Sequence, residues 1–296
     1  MPPPTPIRGL GPDSELGDAA RRILAGRLAD ARQPEAQLDG ELDEDGVHDM
    51  RVATRRLRAA LQVFQATGKL SRVEAGVKRL QDALGAVRDL HVQDAWMGTA
   101  AKGKKDAAKG LDDLRKAHLS GLEAKEKALR AELERWTART VPRLLKRLDT
   151  LEDGHRFAGK QVRAQLRQRL RRVEKRLERY ADAPDAASAH ALRKEVKKLR
   201  YELEVFQPVF RRTVGALLEV LVPLQDGLGE LHDADVRLEL FERAAAEAPP
   251  VQRTAARKVL LPRAREERAS HAAEIAREVQ RWHAEAIPKR LRKALT

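Results

Sequence analysis

Two segments of this chain concentrate residue types able to grip an anion: His48–Phe64, HDMRVATRRLRAALQVF, and His190–Phe206, HALRKEVKKLRYELEVF. Arginine offers a planar fork that takes two phosphate oxygens at once, and lysine offers a compact point charge. Imidazole gives a hydrogen bond when neutral and a further charge when protonated. On an α-helix, His48, Arg51, Arg55 and Arg58 fall within an arc of about 80°. His190, Arg193, Lys197 and Arg200 occupy the same phase in the second segment, joined there by Tyr201. Arg56 and Lys198 sit on the shoulders of the two stripes. No acidic residue interrupts the first stripe between Arg51 and Arg58, so like charges are stacked where they repel unless an anion neutralises them. The chemistry expected is the binding of a phosphate-rich polyanion in a groove.

Other chemistries fit these residues less well. Arginines three residues from His48 and His190 would repel a divalent cation, and neither histidine has a second one at i+3 or i+4, so no metal site is expected. His48-Asp49 and His232-Asp233 are adjacent in sequence, and adjacent helical residues do not face each other for acid–base work. Two further carboxylate pairs, Asp82 with Asp89 and Asp226 with Asp233, are each spaced seven apart on one helical face. They are suited either to orienting the arginines from behind or to ordinary capping and ion pairing.

The elements that must position these stripes are helices. Ala, Leu, Arg, Glu and Lys dominate, and apolar positions recur at three- and four-residue steps. Met50, Leu57, Leu61 and Phe64 oppose the first basic stripe, and Leu192, Leu199, Leu203 and Phe206 oppose the second. Breaks are expected at Gln33–Pro34, Asp39-Gly40, Thr67-Gly68, residues 102–109, Glu152–Gly154, Asp182–Pro184 and Pro249-Pro250, leaving room for about eight helices.

The two basic segments belong to a longer internal repeat. At an offset of 142, His48/His190, Arg51/Arg193, Leu57/Leu199, Arg58/Arg200, Leu61/Leu203, Val63/Val205 and Phe64/Phe206 are identical. Upstream, Arg21, Leu24, Arg27 and Leu28 match Arg163, Leu166, Arg169 and Leu170; downstream, LQDALGAVRDLHV from Leu80 matches LQDGLGELHDADV from Leu224. Trp136 and Trp282 also correspond and read as core anchors, while Gly85 and Gly229 read as points of close helix packing. The organisation expected is a flexible Pro-rich arm over 1–14, then two four-helix halves, 15–157 and 158–296, packed about a pseudo-two-fold axis.

Composition narrows the partner. Of 296 residues, 59 are Lys or Arg and 45 are Asp or Glu, a net charge of +14 that calls for an anionic partner. No stretch approaches the ~20 apolar residues of a membrane span, so no membrane association is expected. With no cysteine there is no disulfide or thiolate zinc site; this, and a polar start without an apolar leader segment, fits a cytoplasmic protein. Aromatics are only 3% of the chain and are not interleaved with the basic stripes, so bases would find little to stack on.

The paired motifs resemble the conserved histidine α-helical domain, CHAD, over about residues 16–295. That resemblance implies an all-α fold of two four-helix bundles around a basic central pore that binds inorganic polyphosphate, without catalysis and without a cofactor. It also implies association with polyphosphate granules. The implied pore residues are His48, Arg51, Arg55, Arg56, Arg58 and Arg88 from the first half. From the second they are His190, Arg193, Lys197, Lys198, Arg200 and Tyr201, with His232 beside them. One departure stands out: Val222 and Pro223 occupy the positions matching Lys78 and Arg79, so that side of the pore should be less basic. Weak nonspecific nucleic-acid binding is the alternative function.

Overall fold

The computed structural model describes residues 4–38, 40, 42–65, 69–151 and 159–295. Among these the chain is all-α, with no strand element. The first half runs through α1 (Leu16–Arg32), a 3-10 turn (Pro34–Leu38), α2 (Glu44–Val63), α3 (Ser71–Ala101), α4 (Ala108–Leu119), α5 (Leu122–Arg135) and α6 (Val141–Leu148). The second runs through α7 (Gly159–Asp182), α8 (Ala186–Phe206), α9 (Arg211–Glu247), α10 (Pro250–Ala255), α11 (Leu261–Ala284) and α12 (Ile287–Ala294).

The expected breaks at Gln33–Pro34, 102–109, Asp182–Pro184 and Pro249-Pro250 fall between helices. Thr67-Gly68, Glu152–Gly154 and the expected boundary near 157 lie outside the described residues. The count exceeds eight because the returning arm of each half is subdivided. In the first it breaks at Ser120-Gly121, and in the second at Glu285-Ala286, where Ala286 takes a left-handed conformation with φ 46°. Two π-turns subdivide these arms again, Trp136–Thr140 before α6 and Ala256–Leu260 before α11. Each ends one residue short of a proline, Pro142 or Pro262. A proline inside a helix lacks its N–H and clashes with the carbonyl four residues back, and a π-turn is one way for the backbone to relax around it.

The basic helices are well started. Asp43 accepts a hydrogen bond from the Gly46 amide at 2.6 Å to open α2, and Asp185 and Ser188 form a capping box at the start of α8. Their apolar stripes share one core: Met50, Leu57, Leu61 and Phe64 are buried, as are Leu192, Leu199, Leu203 and Phe206. The repeat partners Phe64 and Phe206 meet edge to face with ring centres 6.4 Å apart. Trp136 and Trp282 are both fully buried. A second, smaller core joins the far ends of α3, α4 and α9 to α10 and α11. There Gly110 lies so close to α10 that a Cβ would stand 2.6 Å from the Val251 carbonyl oxygen.

Residues 4–14, expected as a flexible arm, run back along α1. The Thr5 amide donates to Asp30 Oδ1 at 3.1 Å, and Ile7 packs on the core beside Gly26. Two apolar side chains, Ile7 and Leu10, pack on the core and seat the segment, which a reading of proline content alone does not weigh.

Candidate anion-binding cavity

Facing stripes of α2 and α8, with α3 and α9 as the remaining walls, enclose a cavity of about 580 Å³. Its lining includes His48, Arg51, Arg55, Arg56 and Arg88 from the first half and Arg193, Lys197, Arg200, Tyr201 and His232 from the second. A second cavity of about 660 Å³ shares Arg51, Arg55, Asp89, Lys197 and Tyr201, so these side chains stand between the two. Arg58 and Lys198 line only this second space. His190 lines neither; its ring sits 5.2 Å from that of His232.

The cations divide into two groups by what they touch. Arg58 Nε donates to Glu74 Oε1 at 2.6 Å and Nη1 to Gln81 at 3.0 Å. Arg200 Nε donates to Glu204 at 2.8 Å and Nη1 to Asp226 at 3.3 Å. Arg88 reaches Glu44 at 3.1 Å, Lys198 reaches Glu195 at 3.0 Å, and Arg56 lies 3.7 Å from Glu204. These are tethered. Arg51 has only a long contact of 3.8 Å to the exposed Asp89. Among the described residues, Arg55, Arg193 and Lys197 have no carboxylate at ion-pairing distance, and the buried Nε atoms of Arg55 and Arg193 have no acceptor. The Arg55 guanidinium lies over the Tyr201 ring, 5.5 Å from its centre.

Electrostatics record the crowding. Burial first, then Arg193, Arg55 and Arg51, pull the Lys197 ammonium down from 10.5 to about 8. Arg193 is lowered by burial and by Arg51 and Arg55 across the cavity, with Asp233 and Tyr201 opposing. Burial also lowers all three histidines, helped by Arg88 at His48, by Lys194, Arg193 and Lys197 at His190, and by Arg193 at His232. The imidazoles are therefore neutral near pH 7 and gain charge on acidification. Burial raises Tyr201, which stays a neutral phenol.

Several expectations need correction. Lys78 and Arg79 do not line the cavity; they pair with Asp82 at 2.6 Å and Glu132 at 3.6 Å. The exchange to Val222 and Pro223 therefore leaves the lining unchanged. Gly229 is not a packing point. It lines the cavity, and a Cβ there would meet nothing within 4 Å, while a Cβ at Gly85 would stand 3.6 Å from Arg51 Nε. Of the repeated carboxylates, Asp89 and Asp226 touch arginines of the lining, Asp233 lines it, and Asp82 serves Lys78. Glu204 escaped the sequence reading although it stands four residues from Arg200, a pairing distance on a helix.

Compared with known proteins, residues 22–242 match the family model of the CHAD domain. The chain belongs to the CHAD-domain family. Beyond residue 242, α10 to α12 complete the fold. The crystal structure of the CHAD domain from the plant Ricinus communis superposes with a TM-score of 0.71 at 25% identity, covering 95% of this chain and 96% of that one. PptA from Streptomyces chartreusis shares the fold with a TM-score of 0.62 at 16% identity, over 90% of this chain and 100% of that one. No curated protein matches the chain. Among the described residues of this CHAD domain, no helix is long and apolar enough to cross a membrane.

Proposed function

We propose that the chain binds inorganic polyphosphate in the cavity between α2 and α8, holding the polymer without making or breaking a bond, and thereby associates with polyphosphate granules. On this reading the halves 15–157 and 158–296 face each other about a pseudo-two-fold axis and contribute their repeated stripes to one pore. The observation that carries the reading is the trio Arg55, Arg193 and Lys197, half-buried among like charges with no carboxylate at ion-pairing distance among the described residues. An array of this kind is unfavourable empty and favourable when filled by closely spaced phosphates. Arg51 and the tethered Arg200 and Arg88 flank it. Bases would gain little here, because Tyr201 already carries Arg55 on its ring.

The test is a titration of labelled long-chain polyphosphate against the wild type and Arg55→Glu/Arg193→Glu, with duplex DNA as competitor at equal phosphate concentration. Removing two charge-assisted hydrogen-bonding groups and adding repulsion amounts to about 4 kcal/mol, or about 10³-fold in affinity. Unchanged binding in the variant would remove the cavity from the function.

A further inference from the structure

A second basic surface lies on the opposite side of α8 from the cavity. Helix α7 packs its Leu166, Leu170, Val173 and Leu177 into the core, and its outer face carries Arg171, Arg172, Lys175 and Arg179 exposed, with Arg167 and Arg176 half-buried at the flanks. Among the described residues none of these six has a carboxylate at ion-pairing distance; Glu174, on the same helix, is taken by Arg292 of α12. Arg179 feels Asp185 at the start of α8, which it helps to hold below the usual carboxylate range, and Arg171, Arg172 and Lys175 are exposed to water.

The internal repeat supplies a control. At the offset of 142, four buried or half-buried positions of α7 keep their residue type in α1: Arg163 with Arg21, Leu166 with Leu24, Arg169 with Arg27, Leu170 with Leu28. The six outer cations correspond instead to Ala25, Ala29, Asp30, Gln33, Pro34 and Gln37. Ala25, Ala29 and Asp30 lie in α1, which forms without a cation at those positions, while Gln33, Pro34 and Gln37 lie beyond its last residue, Arg32. The six cations outnumber the two acidic residues exposed on the same face, Glu178 and Asp182, and crowding of like charges costs stability rather than adds it.

We propose that the outer face of α7 is a second, independent binding surface, for the phosphate backbone of double-stranded nucleic acid. The face is convex and about 18 Å long from Arg167 to Arg179 at 1.5 Å per residue. One thin polyanion chain would meet such a face along a single row, whereas a helix of this width fits a major groove ~12 Å across and meets phosphates on both rims. Arginine-rich composition suits bidentate phosphate contact, and Gln165 and Gln168 on the same exposed face add neutral donors. Among the described residues of α7 no large apolar side chain is exposed, so the face has nothing to insert into a bilayer.

The experiment measures anisotropy of a labelled 25-base-pair DNA duplex, over a range of salt, with the full chain and two variants. Arg171→Gln/Lys175→Gln/Arg179→Gln should weaken duplex binding at least tenfold and flatten the slope of log affinity against log salt by about 3, at about 0.9 for each phosphate no longer neutralised. The same variant should keep its polyphosphate affinity, which shows that it is folded. Arg55→Glu/Arg193→Glu should lose polyphosphate and keep the duplex. Duplex binding lost in the cavity variant and intact in the α7 variant would overturn the proposal, as would absence of duplex binding in the wild type. Stronger capture by vesicles of phosphatidylserine and phosphatidylcholine, lost in the α7 variant, would overturn the choice of partner. The duplex and vesicle results do not bear on whether polyphosphate occupies the cavity, which the polyphosphate titration of the Arg55→Glu/Arg193→Glu variant decides.

Discussion

Two places where the halves meet bury arginines, and they handle them in opposite ways. At the far end, the guanidinium carbons of Arg237 and Arg263 stand 4.7 and 5.6 Å from the ring centre of Trp96, which also stacks on Phe241. Glu267 accepts from Arg237 at 2.9 Å, from Arg263 at 3.0 Å and from the Trp96 indole at 2.7 Å, and Gln93 takes Arg237 Nε at 3.3 Å. That cluster is closed. In the cavity Arg55, Arg193 and Lys197 are left open. A buried charge costs several kcal/mol unless paired and hydrogen-bonded. The closed cluster shows that this fold can supply partners across the same interface. On the proposed function, the open one is where the partner comes from outside.

Charge reversal separates the two most strongly. Arg55→Glu/Arg193→Glu, expected to lose about 10³-fold in polyphosphate affinity, should also hold or raise the melting temperature of the ligand-free chain, because it relieves repulsion among Arg51, Lys197 and their neighbours. A clear fall in melting temperature would mean that the cations support the fold. Glu267→Ala is the converse. It strands Arg237 and Arg263 and should cost about 3 kcal/mol in urea unfolding while polyphosphate affinity moves less than twofold. Equal stability losses in both variants would erase the distinction between the clusters.

The phase of the basic stripes and their apolar backs were legible because helical period is a local property of the chain. Met50, Leu61, Leu199 and Phe206 are buried where the wheel places them, and Arg51, Arg55, Arg193 and Lys197 converge. Which cations stay free was not legible. Arg58 is tied to Glu74 and Arg200 to Asp226 by pairings 16 and 26 residues apart, set by how α3 and α9 dock. The outward turn of Lys78 and Arg79, and of Ile7 inward, likewise depends on tertiary placement. The π-turns had a local signal in Val141-Pro142 and Leu261-Pro262, but Ile287-Pro288 has the same form and opens α12 without one.

Acidity and alkalinity probe the open cluster more gently. Lys197 holds its proton at about 8 in the fold and near 10.5 in the unfolded chain. Between those values the unfolded chain carries more protons, so ligand-free stability rises with pH across that window; below about pH 8 the destabilisation by the buried ammonium is complete. Polyphosphate affinity should run the other way and fall about tenfold between pH 7 and 9, with Lys197→Gln abolishing the change. His48, His190 and His232 titrate below their ordinary 6.5, so stability falls as pH drops through their folded values while affinity climbs a few-fold. A pH-independent affinity from 5.5 to 9 would take the titrating side chains out of the binding site.

The smallest effect tests whether the cavity is open by construction. Both Gly76 and Gly229 lie inside helices, where alanine is favoured by up to ~1 kcal/mol. At Gly76 a Cβ would stand 2.6 Å from Thr140 Oγ1, and at Gly229 it would meet nothing within 4 Å. Gly229→Ala should therefore gain about 0.5–1 kcal/mol in urea unfolding with polyphosphate affinity within twofold of wild type, and Gly76→Ala should gain nothing or lose stability. A loss at Gly229 would mean that a neighbour closes over it in solution and that the space beside it is filled. A gain with affinity unchanged means that the space beside the open cluster takes a methyl group at no cost to the fold or to the ligand.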